Sequence, residues 1–186
     1  MDQKISILAF GGSLRRGSYN KALLRAAEEM VPSDARLEVF DLTGIPIFNQ
    51  DLETNPSAVV KEFKAKIRAA DAVLIATPEY NYTIPGFLKN AIDNASRPYG
   101  DNAFDGKPVA LMGASVGILG TARAQYHLRQ SCVFLNMHPL NQPEVMVPRV
   151  QDKVDESGRL TDQKTREKIK ELLEALVVWA RRFKKS

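Results

Sequence analysis

The sequence predicts an α/β fold, a doubly wound, five-stranded parallel sheet with helices on both faces. Short apolar runs alternate with segments of helical period along the whole chain, the order that builds such sheets. One run, Ala72, Val73, Leu74, Ile75 and Ala76, is apolar without a break, the pattern of a strand buried on both faces. Another, Ile5, Ile7, Leu8, Ala9 and Phe10, passes through a glycine-containing turn straight into a helical pattern. Right-handed crossovers then put helices on both sides.

Taken in order, the first strand is followed by Leu23, Leu24, Ala27 and Met30 at helical spacing, predicting a helix over about residues 20–31. Leu37, Val39 and Phe40 make a short second strand. Residues 41–55, with Gly44 and Pro46, read as a long loop, and loops of that length usually serve a site or an interface. Asn55 and Pro56 read as N-cap and first residue of a helix running to about Ala70, with Val59, Val60, Phe63 and Ile67 inward. The buried strand at 71–76 comes next, then a helix over about 85–96 carrying Phe87, Leu88, Ala91, Ile92 and Ala95 on one side. A fourth strand spans 109–114 and a helix 122–134, and a weak strand falls between Leu135 and Met146. An amphipathic helix over 162–184 closes the chain, with Ile169, Leu172, Leu173, Leu176, Val177, Ala180 and Phe183 on its buried stripe.

Composition sets the class. The 186 residues suit a single domain, and 44% hydrophobic with 26% charged residues is the balance of a soluble globular chain. The net charge of +4 includes Arg181, Arg182, Lys184 and Lys185, where cations complement a helix C-terminus; no basic stripe interleaved with aromatics points to nucleic acid. Cys132 is the only cysteine, which excludes an intramolecular disulfide, suits a reducing compartment and leaves no Cys/His cluster for a metal. No apolar stretch approaches the ~20 residues of a membrane span, and the expected location is cytoplasmic.

In a doubly wound sheet, ligands bind at the carboxyl ends of the strands. Three loops leave those ends, at 12–20, 77–83 and 115–121. The first, within GGSLRRGSYN, combines Gly12, Ser13, Arg15, Ser18 and Asn20 at the start of a helix, where amide donors and the helix dipole favour an anion. It is not a Walker A loop, because Ser18 and Tyr19 stand where Lys and Ser/Thr must be, and G-x-G-x-x-G is absent. A monophosphate cradle remains, beside the simpler reading of Ser18 as a helix N-cap. The second loop joins Pro78 to the polar backbone of Glu79, Tyr80 and Asn81 and two aromatic rings, which suits a flat heterocycle with hydrogen-bonding edges. The third, with Ser115 and Gly117, lets backbone approach the same ring. Phosphate at one end and a polar-edged ring at the other describe flavin mononucleotide, FMN.

GSLRRGSYN, TPEYNYTIPGFLKNAIDNASRP, GKPVAL and ARAQYHLRQ together resemble the NADPH-dependent FMN reductase family, in its chromate/quinone reductase branch. The resemblance covers nearly the whole chain. It implies a flavodoxin-like fold, non-covalent FMN, NADH or NADPH as donor, and broad acceptors such as quinones, chromate, azo compounds and flavins. Ser13, Arg15, Ser18 and Asn20 match the phosphate loop, and Pro78, Glu79, Tyr80 and Asn81 match the ring loop, with Ser115 and Gly117 in the third. The branch also implies a homodimer or homotetramer with a network near the flavin, matched by Tyr82, Arg123, Tyr126 and Glu144. Thr121 departs from a glycine common in these relatives, so the shape of the third loop is left open. The rival class is a flavodoxin-type electron carrier that does not oxidise NAD(P)H directly, against which the positive charge argues. His127 is expected at the surface or an interface, Cys132 in the core and Trp179 in packing.

Overall fold

The computed structural model describes residues 4–184, so Lys185 lies outside the described residues. Strand β1 (Ile5–Gly11) leads through the first loop to helix α1 (Tyr19–Glu29) and β2 (Ala35–Val39). Helix α2 (Ala58–Ala69), β3 (Ala72–Ala76), α3 (Gly86–Ser96), β4 (Pro108–Ala114) and α4 (Ala122–Phe134) follow in strict alternation. The chain ends with two short strands, β5 (His138–Pro139) and β6 (Val145–Val147), and α5 (Gln163–Arg181).

The strand order is β2-β1-β3-β4-β5, all parallel, with β6 also paired to β4. This is the flavodoxin-like order, and its switch point falls between β1 and β3, whose carboxyl ends carry the first and second loops. Alternation along each strand divides the core in two. Leu8, Phe10, Val73, Ile75, Val109 and Leu111 face α2, α3 and α4, where Phe63 meets Phe10 edge-on with ring centroids 5.1 Å apart and stacks on Phe40 at 5.0 Å. Ile7, Ala9, Leu74, Ala76, Ala110, Met112 and Ala114 face α1 and α5. Their smaller side chains let the two helices seat closely.

Several boundaries differ from the sequence reading, three of them for a clear local reason. The second crossover helix starts at Ala58 with Ser57 extended before it, so Asn55 and Pro56 precede the helix and the Asn55 side chain accepts from Lys61 instead. The fifth strand is split: Pro139 ends the first piece, Pro143 cannot donate to a ladder, and pairing with β4 resumes only at Val145. The last helix stops at Arg181, and Phe183 lies beyond it, 38% exposed and stacked on His138 at 4.2 Å rather than buried. The loop after β2 contains a single 3-10 turn, Gln50–Leu52, and is strapped to α3 by the Asn90 and Asn94 amides, both donating to the Pro46 carbonyl.

Within the basic tail, Arg181 pairs with Asp34 at 2.8 Å and Lys184 with Asp71 at 3.5 Å. Cys132 is fully buried, and burial pushes its thiol up to about 11, which leaves it an inert core residue. Trp179 packs as expected and donates its indole N–H to the His138 carbonyl at 2.9 Å. Among the described residues, no helix is long and apolar enough to cross a membrane.

Candidate functional site

The first, second and third loops meet at the carboxyl edge of the sheet, and side chains lock them together. The Asn20 amide, 3% exposed, donates to the Ala114 carbonyl and accepts from the Ala114 N–H, both at 3.0 Å, tying the first turn of α1 to the end of β4. A Cβ on Gly12 would stand 3.0 Å from the Leu88 side chain and 3.4 Å from Pro78, so glycine lets the first loop lie against the second. Gly113 is tighter still: a Cβ there would sit 2.0 Å from Thr121 Oγ1 and 2.3 Å from the Thr77 carbonyl. At Gly120, φ is +61° and a Cβ would meet the Met146 backbone at 2.8 Å, so only glycine fits.

The first loop is rich in free donors. Ser18 caps α1 with a long 3.4 Å contact from the Lys21 N–H, and no acidic residue stands in the first turn to neutralise the helix dipole. Among the described residues, the N–H groups of Leu14 to Gly17, Tyr19 and Asn20 have no protein acceptor, while Arg15 and Arg16 are exposed. Ser13 and Ser18 are buried but border this row of donors. The Arg15 guanidinium lies over the Tyr19 ring at 5.2 Å. A row of amide donors, two hydroxyls and a guanidinium is the kind of donor set that suits a phosphate.

The second loop is a tight turn. Tyr80 and Thr83 exchange two backbone hydrogen bonds of 3.0 Å, and the residues between them, Asn81 and Tyr82, have φ of +49° and +67°. Two successive positive φ values are the mark of a type I′ turn; Asn tolerates the conformation, whereas a bulky Tyr there is strained. The rings of Tyr80 and Tyr82 are 51% and 65% exposed. In the third loop, Ser115 Oγ accepts from the Gly117 N–H at 3.1 Å, while Val116, Ile118 and Leu119 are exposed. Thr121 is fully buried, its hydroxyl accepting from Gln125 at 3.0 Å, which answers the question its departure raised: it packs beneath Gly113 rather than lining the loop.

Glu79 has a role the sequence reading did not find. Its side chain is 5% exposed, its Oε2 accepts from the N–H groups of Arg123 and Ala124 at 3.1 and 3.2 Å, and its Oε1 is paired with the Arg123 guanidinium. The carboxylate therefore caps α4, and Arg123, so held, lies over the Tyr82 ring at 3.5 Å. Tyr126 donates to Glu144 at 3.1 Å, and the carboxylate pushes its phenol upward. The four residues expected in one network thus form two pairs within a single chain. His127 is at the surface as expected, but its Nδ1 lies 2.8 Å from Thr83 Oγ1.

The donor row, the exposed apolar side chains and the edge-to-edge loops suit a group with an anion at one end and a planar ring at the other. Residues 5–152 match the family model for NADPH-dependent FMN reductases. The chain belongs to that family. An NAD(P)H-dependent FMN reductase of Pseudomonas aeruginosa is 53% identical over 186 residues, covering 99% of this chain and 100% of the relative. A 2-hydroxy-1,4-benzoquinone reductase of Burkholderia is 41% identical, covering 97% of this chain and 98% of its own. Among solved structures, the flavoenzyme NAD(P)H:(acceptor) oxidoreductase FerB of Paracoccus denitrificans superposes with a TM-score of 0.86 at 34% identity, over 96% of this chain and 98% of that one. The FMN reductase family is one of flavoenzymes that take electrons from NAD(P)H, which agrees with the cofactor and donor expected from the sequence.

Proposed function

We propose that this chain binds FMN non-covalently across the three loops and acts as an NAD(P)H-dependent oxidoreductase on quinones, with chromate, azo compounds and free flavins as further acceptors. The single observation that carries the site is the row of N–H donors at 14–17, 19 and 20, without acceptors among the described residues, beside Arg15 and the hydroxyls of Ser13 and Ser18. These groups hold the phosphate. The backbone of Pro78, Glu79, Tyr80 and Asn81 and the loop of Ser115 and Gly117 receive the ring. Asn20 serves by holding α1 to β4, because its amide is already committed to Ala114.

When bound, FMN supplies the redox chemistry, accepting hydride from the nicotinamide and passing electrons to the acceptor. The chain's own part is binding, orientation and tuning. Glu79 is no proton donor, because its carboxylate accepts from two helix amides and a guanidinium. The exposed loops leave an open face where donor and acceptor are used in turn, in two half-reactions. Exposed Tyr126, Val133 and Phe134 on α4 offer a face for a homodimer or homotetramer, and the location proposed is cytoplasmic.

The test is the anaerobic visible spectrum of the purified protein with FMN, taken before and after NADH and then NADPH. Bound flavin that bleaches with either nucleotide and recovers with a quinone supports the reductase. Bound flavin that ignores both nucleotides supports an electron carrier, and no bound flavin overturns the site.

A further inference from the structure

The strained turn at Asn81 and Tyr82 is braced at both ends by one helix. Before the turn, Glu79 caps α4 and clamps Arg123; after it, Thr83 meets His127, one helical turn further along. Between the two, the Arg123 guanidinium covers the Tyr82 ring. Residues in sparsely populated backbone regions are strained and persist only where the surroundings over-determine them. Here the surroundings are the first two turns of α4. Since α4 begins directly after the third loop, the same contacts couple the second loop to the third.

We propose that Glu79 is a positioning residue for the flavin ring: its carboxylate, by capping α4 and holding Arg123 against Tyr82, keeps the 80–83 turn in a ring-receiving shape. This rests on the flavin reading above. A neutral residue at 79 still reaches α4 with one oxygen but loses the guanidinium, so the turn is released even where the helix survives. Arg123 acts through Glu79 and Tyr82 and is part of the same device.

The experiment uses flavin-free full-length chain and measures three things: FMN affinity by flavin fluorescence, melting midpoint, and amide exchange of residues 80–83. The variants are Glu79→Gln, Arg123→Ala, the pair together, and Lys64→Met, which strands the Arg97 carbonyl at the opposite end of the sheet. Glu79→Gln and Arg123→Ala are each expected to weaken FMN binding about tenfold to hundredfold and to speed exchange at 80–83. The double variant is expected to lose no more than the worse single, because the two act as one unit. Lys64→Met is expected to lower the melting midpoint and leave FMN affinity within about twofold. Additive losses, or Glu79→Gln with wild-type affinity and exchange at a lowered melting midpoint, would reduce Glu79 to a helix cap and overturn the proposal. Wild-type chain that binds no FMN would overturn the flavin reading and this proposal with it; wild-type binding with unaffected variants would overturn this proposal alone.

Discussion

The two ends of the sheet both bury polar groups, and they use them in opposite ways. At the amino end, ammonium groups finish hydrogen bonds: Lys64, 4% exposed, donates to the Arg97 carbonyl and pairs with Asp101, and Lys107 donates to the carbonyls of Arg68 and Ala70. Burial holds the Lys107 ammonium below its ordinary range. At the carboxyl end, a carboxamide and a carboxylate, Asn20 and Glu79, tie loops to one another while the row of amides at 14–17 has no acceptor among the described residues. One end is closed by its polar groups, and the other is held open by them.

Breaking the open end should cost most. Gly113→Ala forces a methyl into the Thr77 carbonyl, and its stability is expected to fall by about 3 kcal/mol or more in urea denaturation, with Thr121→Ala, which removes the clashing hydroxyl, giving only partial rescue because the carbonyl stays. Asn20→Ala leaves the N–H and carbonyl of Ala114 buried without partners, and about 2–3 kcal/mol is expected, together with weaker FMN binding in a fluorescence titration.

The closed end supplies the contrast. Lys64→Met strands the Arg97 carbonyl, so about 1–3 kcal/mol of stability should be lost, while FMN affinity stays within about twofold. Arg15→Ala inverts that pattern, weakening FMN about tenfold to hundredfold with stability changed by less than about 0.5 kcal/mol. The smallest effect is one of pH. The hydrogen bond from Lys64 holds the Asp101 carboxyl below its ordinary value of 3.8, despite opposing desolvation. A depressed carboxylate stabilises the fold fully above that value and loses its contribution as pH falls through the lower folded value. Urea midpoints measured below pH 4 should therefore drop less steeply in Lys64→Met than in the wild type.

Strands and helices were legible because their signals are local. The unbroken apolar run at 72–76 and the Leu172, Leu173, Leu176 stripe each gave an element that the structure contains. The misses came where partners lie far away in sequence. Asn20 reads as part of a serine-rich phosphate loop, and only its bonds to a residue 94 positions away show that its side chain is also a tie. Glu79 reads as loop backbone, yet its carboxylate caps a helix 44 residues on. A proline after Asn55 mimics a helix start as well as Ser57 does, and only the backbone angles choose between them. The strain at Tyr82 left one trace in the sequence, a tyrosine directly after an asparagine in a two-residue turn, which is not by itself enough to read a positive φ.

The most direct test of the account is hydrogen exchange along the whole chain with and without FMN. Protection gained together at 12–20, 77–83 and 115–121, with the Lys64 and Lys107 end unchanged, is the predicted result. Protection confined to one loop, or spread to the amino end of the sheet, would contradict a single flavin site built by three loops.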